Sequence, residues 1–412
     1  MPNWFNININ RRSFFTTLGG FALLTMSGGC GLRNPCRQGL PATLTEHPLT
    51  TAAWQGIDTH KVWDCHVHIA GNGDSGSGIT LTPEMESPWH PWLQLQRLFY
   101  LNAGCVDDRP GHVDQSYLHR LRERHATLPA GVKLMLLAFD HAHSETGKPL
   151  PNRSAFFVPN THARDLAKNF PNAFEWIASI HPYRPDAVDA LQKAHSEGAR
   201  AVKWLPPAMG IDPAHERCLP FYRAMTQLDM PLLTHAGEEK AVRGMGLTAF
   251  GNPLRLRKAL ETGVRVIVAH CASLGEEEDS DHGNQRVAGF DLFTRMMDHP
   301  DHRDRLFGDI SAITLRNRDP RVVRTLLERN DWHDRLLNGS DYPLPGILPL
   351  ISPQRFARAG LLNPEILPVL EELQTWHPLL FDFVLKRHLA VGGRRFAAGI
   401  FETRPFFLRS LT

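Results

Sequence analysis

The sequence predicts an α/β protein: a (β/α)8 TIM barrel with long catalytic-face loops and C-terminal capping helices. Three observations carry this reading. Eight short apolar runs follow one another at 62–69, 132–139, 174–181, 199–205, 231–235, 265–270, 306–313 and 335–340. Amphipathic stretches separate them, the alternation expected of repeated βα units. Histidines or an aspartate close several of the runs, where such a barrel places its chemistry.

The intervening helices are expected at 185–197, 213–228, 253–262, 285–297 and 320–330. Several open on proline, whose missing N–H costs nothing in a first helical turn. Two loops exceed what a minimal barrel needs. One covers 70–110 and holds the glycine-rich, flexible-looking stretch from Gly71 to Gly78; the other covers 141–160. Both follow strand ends and so belong over the catalytic face. Residues 364–389 read as helices that cap the barrel. The chain divides into a leader at 1–36, a linker at 37–60, the barrel at 61–395 and a tail at 396–412.

Composition sets broad bounds. With 412 residues, 42% hydrophobic and 21% charged, the chain has an ordinary globular balance. Its formal net charge of +2 offers no basic stripe for nucleic acid. The six cysteines, at 30, 36, 65, 105, 218 and 271, form no CxxC pair and no dense disulfide framework. Cys65 and Cys271 adjoin site histidines, and strand alternation turns both thiols toward the surrounding helices as core.

The N-terminus carries an address. Asn10-Arg11-Arg12-Ser13-Phe14-Phe15 and the weakly apolar run after it resemble a twin-arginine export signal. Ser27-Gly28-Gly29-Cys30 resembles a lipoprotein cleavage site, so a lipid on Cys30 is the one membrane attachment expected. The expected location is the periplasm or the outer face of the membrane.

The chemistry concentrates at strand ends. Asp64-Cys65-His66-Val67-His68 ends the first strand, and period-two geometry sends His66 and His68 to one face. Two imidazoles so placed can chelate a divalent cation, zinc above all. His235 closes the fifth run, His270 the sixth, and Asp341 follows the eighth. Each interrupts an apolar run, where an unpartnered polar group is costly. Singly these read as satisfied core groups or caps; together they read as a site.

In these residues the chain resembles the amidohydrolase superfamily, in its amidohydrolase 2 branch, which includes aminocarboxymuconate-semialdehyde decarboxylase. The motifs are His66-Val67-His68, Thr234-His235-Ala236-Gly237, Ala269-His270 and Gly339-Ser340-Asp341-Tyr342-Pro343. The resemblance implies that His66, His68, His235 and Asp341 bind the metal, while His270 orients or deprotonates the water. Asp341 and His270 are thus the catalytic candidates, with His270 also placed to stabilise an oxyanion. One divalent ion is favoured over two.

Lys203 ends the fourth strand. In two-metal amidohydrolases a lysine at this strand is carbamylated and bridges the cations; His235 and His270 would then ligate the second. Alternatively, Lys203 binds a substrate carboxylate or pairs with an acid such as Glu238. Weaker candidates are Asp140, His141, His143 and His181 as pocket lining, and Asp309 as an orienter of a ligating histidine. Trp89 and Trp92 read either as a wall over the substrate or as loop packing, and the acidic 276–281 run as a solvated loop.

The leading expectation is a metal-dependent hydrolase acting on a C–N or C–O bond of a small molecule. A nonoxidative decarboxylase of a small carboxylate uses the same ligands. A periplasmic binding lipoprotein on an inactive barrel is the reading from another class. No motif marks a substrate or a subunit interface.

Overall fold

The computed structural model describes residues 33–242 and 245–408. Arg11, Arg12 and Cys30 lie outside the described residues. Eight parallel strands appear where the apolar runs place them: β1 Trp63–His68, β2 Lys133–Leu137, β3 Phe174–Ile177 and β4 Val202–Trp204. β5 Leu232–His235, β6 Val266–Ala269, β7 Leu306–Asp309 and β8 Leu336–Leu337 complete the set. Hydrogen-bonded ladders join β1 to β3 and β4 to β8 in sequential order. Two seams close the ring. Ala178 N donates to Ala201 O at 2.9 Å and Lys203 N to Ala178 O at 2.7 Å; Cys65 N donates to Asn338 O at 3.1 Å and His68 N to Tyr342 O at 2.9 Å. With no open edge, the backbone groups of all eight strands find partners around the barrel.

Inside, Trp63, Met135, Leu137, Ile177, Leu233, Ile267, Phe307 and Leu337 fill the lumen, and Phe407 packs with them. The barrel is therefore a packed core below its mouth, as expected of this architecture. Residues 396–407 are more than a tail: Thr403 Oγ1 donates to Trp63 O at a short contact, and Arg265 Nη1 to Phe406 O at 3.0 Å. Cys65 corrects the expectation from alternation. Its side chain joins the lumen cluster, because the β1–β2 register shifts between Asp64 and Val67 and breaks the period of two. Cys271 does face outward, packing in the layer between strands and helices.

The helices follow expectation with one exception. Gln285–Ala288 is a strand, paired antiparallel with Glu276–Asp279, and the helix starts only at Gly289. The acidic run is thus half of a ribbon, whose other strand brings Arg286 Nε to 3.8 Å from Glu276 Oε2. The two long loops also hold each other, through Thr80↔Phe157 and Leu81↔Phe156 pairing. The glycine-rich stretch is pinned rather than loose. Asp114 accepts from Asn72 N at 2.8 Å, Gly73 N at 3.2 Å and Ser77 Oγ at 2.6 Å. At Gly71 a Cβ would stand 2.3 Å from Asp114 Oδ1, so a side chain there would have to displace the carboxylate that pins the loop.

A disulfide joins Cys36 to Cys105, across a sequence separation of 69. It ties the chain just before the barrel to the end of helix Pro91–Ala103 in the first long loop. Sequence spacing gave no hint of it, since both cysteines sit in irregular segments. Cys36→Ser with Cys105→Ser is expected to lower unfolding free energy by about 2–4 kcal/mol, because the reduced chain regains loop entropy on unfolding. Urea titration of wild type and variant checks this, and coincident curves would contradict it.

The C-terminal helices Leu367–Trp376 and Pro378–His388 form as expected. The second is headed by buried His377, whose Nδ1 accepts from Leu380 N at 3.0 Å while Nε2 donates to Arg124 O at 2.8 Å. Both roles at once require the neutral ring. Burial, with Arg124 nearby, pushes its pKa down to about 3. An unfolded histidine titrates near about 6.5. Between these values the unfolded chain binds the proton and the folded chain does not, so stability falls as pH drops from about 6.5 toward 3. His377→Gln is expected to flatten that slope in urea titrations between pH 7 and pH 5; an unchanged slope would contradict the assignment.

Candidate metal centre

The mouth of the barrel is assembled by a clasp between β1 and β8. The buried Asp64 carboxylate accepts from His66 N at 3.2 Å and Ser340 N at 2.8 Å through one oxygen. Asp341 N donates to His66 O at 2.8 Å. Gly339 is needed at this crossing, since a Cβ there would lie 2.6 Å from His66 Cβ. Lys386 of the C-terminal helix donates to Gly339 O at 2.7 Å and pairs with Asp382 at 2.6 Å. Asp341 and His270 both hold left-handed backbone, at φ 60° and 55°. For non-glycine residues this conformation costs free energy and clusters at functional sites.

Three ligand-type groups converge tightly. Candidate ligand atoms of His66, His270 and Asp341 all lie within 4.8 Å of one another, and all three residues are buried. His68 joins them, with Nε2 3.0 Å from Asp341 Oδ1. His66 Nε2 stands 3.6 Å from the same oxygen, whereas His270 Nε2 stands 3.9 Å from Oδ2. Asp341 therefore offers one oxygen to the first-strand histidines and the other to His270.

The proton positions follow from the network behind the rings. Asp309 Oδ2 meets His66 Nδ1 at 2.8 Å, so Nδ1 carries the proton and Nε2 keeps its lone pair. Ser311 Oγ donates to Asp309 Oδ1 in a short contact, leaving Oγ as an acceptor. His270 Nδ1 lies 2.8 Å from that Oγ and 3.1 Å from Ser311 O, so it too is the protonated nitrogen. Both Nε2 atoms thus present lone pairs to the centre. This corrects one expectation: an Nε2 without a proton cannot donate to an oxyanion, so His270 is built to accept a proton or bind a cation.

Electrostatics agree. Burial, reinforced for His66 by Lys203, lowers the pKa of His66 and drives that of His270 well below the usual imidazole value. For Asp341, burial alone would raise the pKa, but the adjoining His270 and His66 outweigh it and hold the carboxyl well below its usual range. Neutral imidazoles beside an ionised carboxylate are the donor forms a divalent cation requires.

His235 and Lys203 stand at the same mouth. The His235 ring centroid is 5.5 Å from that of His270, and its Nδ1 is 3.4 Å from Glu239 Oε2. Its Nε2 is buried without a hydrogen-bond partner among the described residues. Lys203 Nζ lies 3.1 Å from His66 Nε2. Burial lowers its pKa, against the fields of Asp309, Asp341 and Glu239. The expected pairing with Glu238 does not form; that residue is exposed and pairs with Lys240 at 3.2 Å. Glu239 is the acid that turns inward, and sequence reasoning missed it; its spacing of four from His235 was the available signal. Ser311 was missed as well, though Asp309 and Ser311 share the alternation of β7. His143 and His181 stack with centroids 4.4 Å apart, and His181 Nε2 donates to Met209 O at 3.0 Å, a structural bond. Trp89 is 87% exposed and Trp92 52%, so neither packs its loop down.

Residues 63–368 match the amidohydrolase family model. No curated protein matches the sequence. Among solved structures, a TIM-barrel protein of Bordetella bronchiseptica is similar at 16% identity, covering 69% of this chain and 86% of that one, with a TM-score of 0.44. 2,6-Dihydroxybenzoate decarboxylase from Rhizobium aligns at 13% identity over 78% of this chain and 97% of its own, TM-score 0.38. 4-Oxalomesaconate hydratase from Rhodopseudomonas palustris aligns at 14% identity over 79% and 93%, TM-score 0.39. With the family model spanning the whole run from β1 past β8, the chain belongs to the amidohydrolase family, in its amidohydrolase 2 branch.

Proposed function

We propose that this chain is a metal-dependent hydrolase that attacks a C–N or C–O bond of a small molecule with water. The convergence of His66, His270 and Asp341 on one point, with both imidazole lone pairs turned inward and His68 Nε2 3.0 Å from Asp341 Oδ1, carries this reading. The donor set fits a single zinc ion, which accepts imidazole nitrogen and carboxylate oxygen together. His66, His68 and Asp341 Oδ1 would hold it, and the orphaned His235 Nε2 would complete the set. When bound, the cation supplies Lewis acidity, lowering the pKa of a water from about 15.7 to about 7.

The chain's own groups do the proton work. Asp341 Oδ2, on the side of His270, takes the proton of the attacking water and returns it to the leaving nitrogen or oxygen. His270 Nε2 orients that water as an acceptor. Asp309 and Ser311 act through the rings they hold, keeping both Nε2 atoms unprotonated.

A second reading places two cations on either side of a carbamylated Lys203, with His235 and His270 on the second. It is supported by the buried amine, whose neighbour is the lone pair of His66 and which has no carboxylate at ion-pair distance among the described residues. Burial favours the neutral amine, which adds CO2 with release of a proton. We further propose that the protein is exported and works outside the cytoplasm. The Cys36–Cys105 disulfide supports an oxidising compartment. In cell fractionation, Arg11→Lys with Arg12→Lys should retain the protein in the cytoplasm; export at the wild-type level would sink the signal reading.

The reaction itself is tested on the zinc-loaded protein with lactones, amides and aromatic carboxylates, following hydrolysis and CO2 release together. Asp341→Asn should lower kcat by about 100- to 10,000-fold with the fold intact, and Asp309→Asn by a smaller factor of about 10- to 100-fold with weakened zinc retention. Wild-type turnover in Asp341→Asn would refute the mechanism. CO2 release without hydrolysis would replace hydrolase by decarboxylase. A zinc count near one with unmodified Lys203 in intact mass is expected, whereas two ions and the added mass of CO2 would establish the bridged form.

A further inference from the structure

Helix Pro91–Ala103, from the loop after β1, reaches the loops that leave both β5 and β8. None of its residues from Pro91 to Tyr100 is buried, so core packing does not explain where it sits. Its C-terminal end is held firmly. Ala103 backs onto Gly346, five residues past Asp341, so closely that a Cβ on Gly346 would stand 2.3 Å from Ala103 O. Asn34 Nδ2 donates to Gly346 O at 3.2 Å, and Asn34 N donates to Asn102 Oδ1 at 2.8 Å. Asn102 Nδ2 returns a bond to Asn34 O at 3.1 Å, and the Cys36–Cys105 disulfide locks the same end.

Midway along the helix, Gln96 and Tyr100 stand four residues apart and so share one face. Both close on a single acceptor: Gln96 Nε2 and Tyr100 Oη each donate to Ala241 O at 2.7 Å. Ala241 lies in the loop after β5, and the N–H groups of that loop turn back toward the mouth. Glu239 Oε1 accepts from Ala241 N in a short contact and from Val242 N at 3.0 Å. Its other oxygen, Oε2, stands 3.4 Å from His235 Nδ1. Closer to the strand, Gly237 N donates to Gly251 O at 2.7 Å and Glu238 N to Leu274 O at 2.8 Å. Beyond Glu239, Ala241 is where the helix takes hold. A continuous run of contacts thus leads from helix Pro91–Ala103 to the His235 ring, whose buried Nε2 has no partner among the described residues.

We propose that Gln96 and Tyr100 are positioning residues for His235: by holding the Ala241 carbonyl they fix the loop from which Glu239 directs the ring. The ligand role of that ring rests on the reading of the barrel mouth as a metal centre. A carboxylate beside Nδ1 keeps the proton there and leaves the Nε2 lone pair for a cation. This works only while Glu239 is itself fixed. Glutamate is rich in rotamers and costly to hold, and the two N–H groups that hold it flank the peptide the helix grips. The same helix backs onto the loop that starts at Asp341. One element from the β1 loop therefore sets the spacing of two ligand-bearing loops. Gln96 and Tyr100 act through His235, so their effect falls on metal affinity and not on proton transfer.

The test is zinc affinity, by chelator competition on the full chain, joined to NMR of isotope-labelled histidine rings in the zinc-free protein. The samples are wild type, the pair Gln96→Leu with Tyr100→Phe, His235→Ala, and the pair combined with His235→Ala. Tyr100→Phe alone, which removes one oxygen, repeats the test with the least disturbance of the fold. The pair should weaken zinc binding at least about threefold, less than the roughly 10- to 100-fold typical of a direct partner of a ligating histidine. In the His235→Ala background the same pair should leave zinc affinity unchanged, because residues that act through one another are not additive. In zinc-free wild type the His235 ring, assigned by its absence from His235→Ala, should hold its proton on Nδ1, and the pair should mix in the other tautomer. An equal loss of zinc affinity with and without His235 would mark the helix as a general brace and overturn the proposal. So would a His235 tautomer indifferent to the pair. Zinc at one per chain with an affinity unmoved by the pair sinks this inference alone; a pair-dependent His235 tautomer in protein that takes up no zinc sinks the metal-centre reading alone.

Discussion

The site depends on one buried carboxylate. Asp309, fully enclosed at the end of β7, meets His66 Nδ1 at 2.8 Å, His270 N at 2.9 Å and Ser311 N at 3.0 Å, and accepts the Ser311 hydroxyl as well. Burial alone would raise its pKa; the adjoining His66 more than offsets this and keeps it ionised. An ionised carboxylate with its lone pairs committed fixes the tautomer of His66 directly and that of His270 through Ser311. From this follows the inward direction of both Nε2 lone pairs, without which neither cation binding nor proton acceptance has a geometry.

The barrel serves that carboxylate and its partner Asp341. The Asp64 clasp closes β8 onto β1, and Lys386 holds the carbonyl of Gly339, the second residue before Asp341. Left-handed backbone at His270 and Asp341 costs of order 1–3 kcal/mol each. Hydrogen bonds from His270 N to Asp309 and from Asp341 N to His66 O hold these conformations in place. Far from the mouth, Phe407 and the lumen side chains supply the apolar burial that offsets such local costs. Rigid strands set the ligand positions, and the paired long loops above them shape what reaches the mouth.

Much of this was legible in the chain. Eight apolar runs gave eight strands because strand burial on both faces demands them. His66, His68, His235, His270 and Asp341 stood out because polar groups at the ends of such runs need partners. What alternation could not show was Cys65, which a register shift turns into the lumen. Gln285–Ala288 read as helix because a short run of mixed polarity does not separate the two periods; its antiparallel partner decides. Cys36 and Cys105 pair through loops whose path no local pattern encodes. Glu239 carries no motif beyond its spacing of four from His235, and its role shows only once its carboxylate is seen 3.4 Å from the His235 ring.

Crystals soaked in zinc and measured with anomalous diffraction at the zinc edge test the account most directly. One strong peak is expected, bounded by His66 Nε2, His68 Nε2, His235 Nε2 and Asp341 Oδ1, with the His66 and His270 rings held as they are here. A mouth without zinc, or zinc bound only elsewhere on the surface, would contradict it.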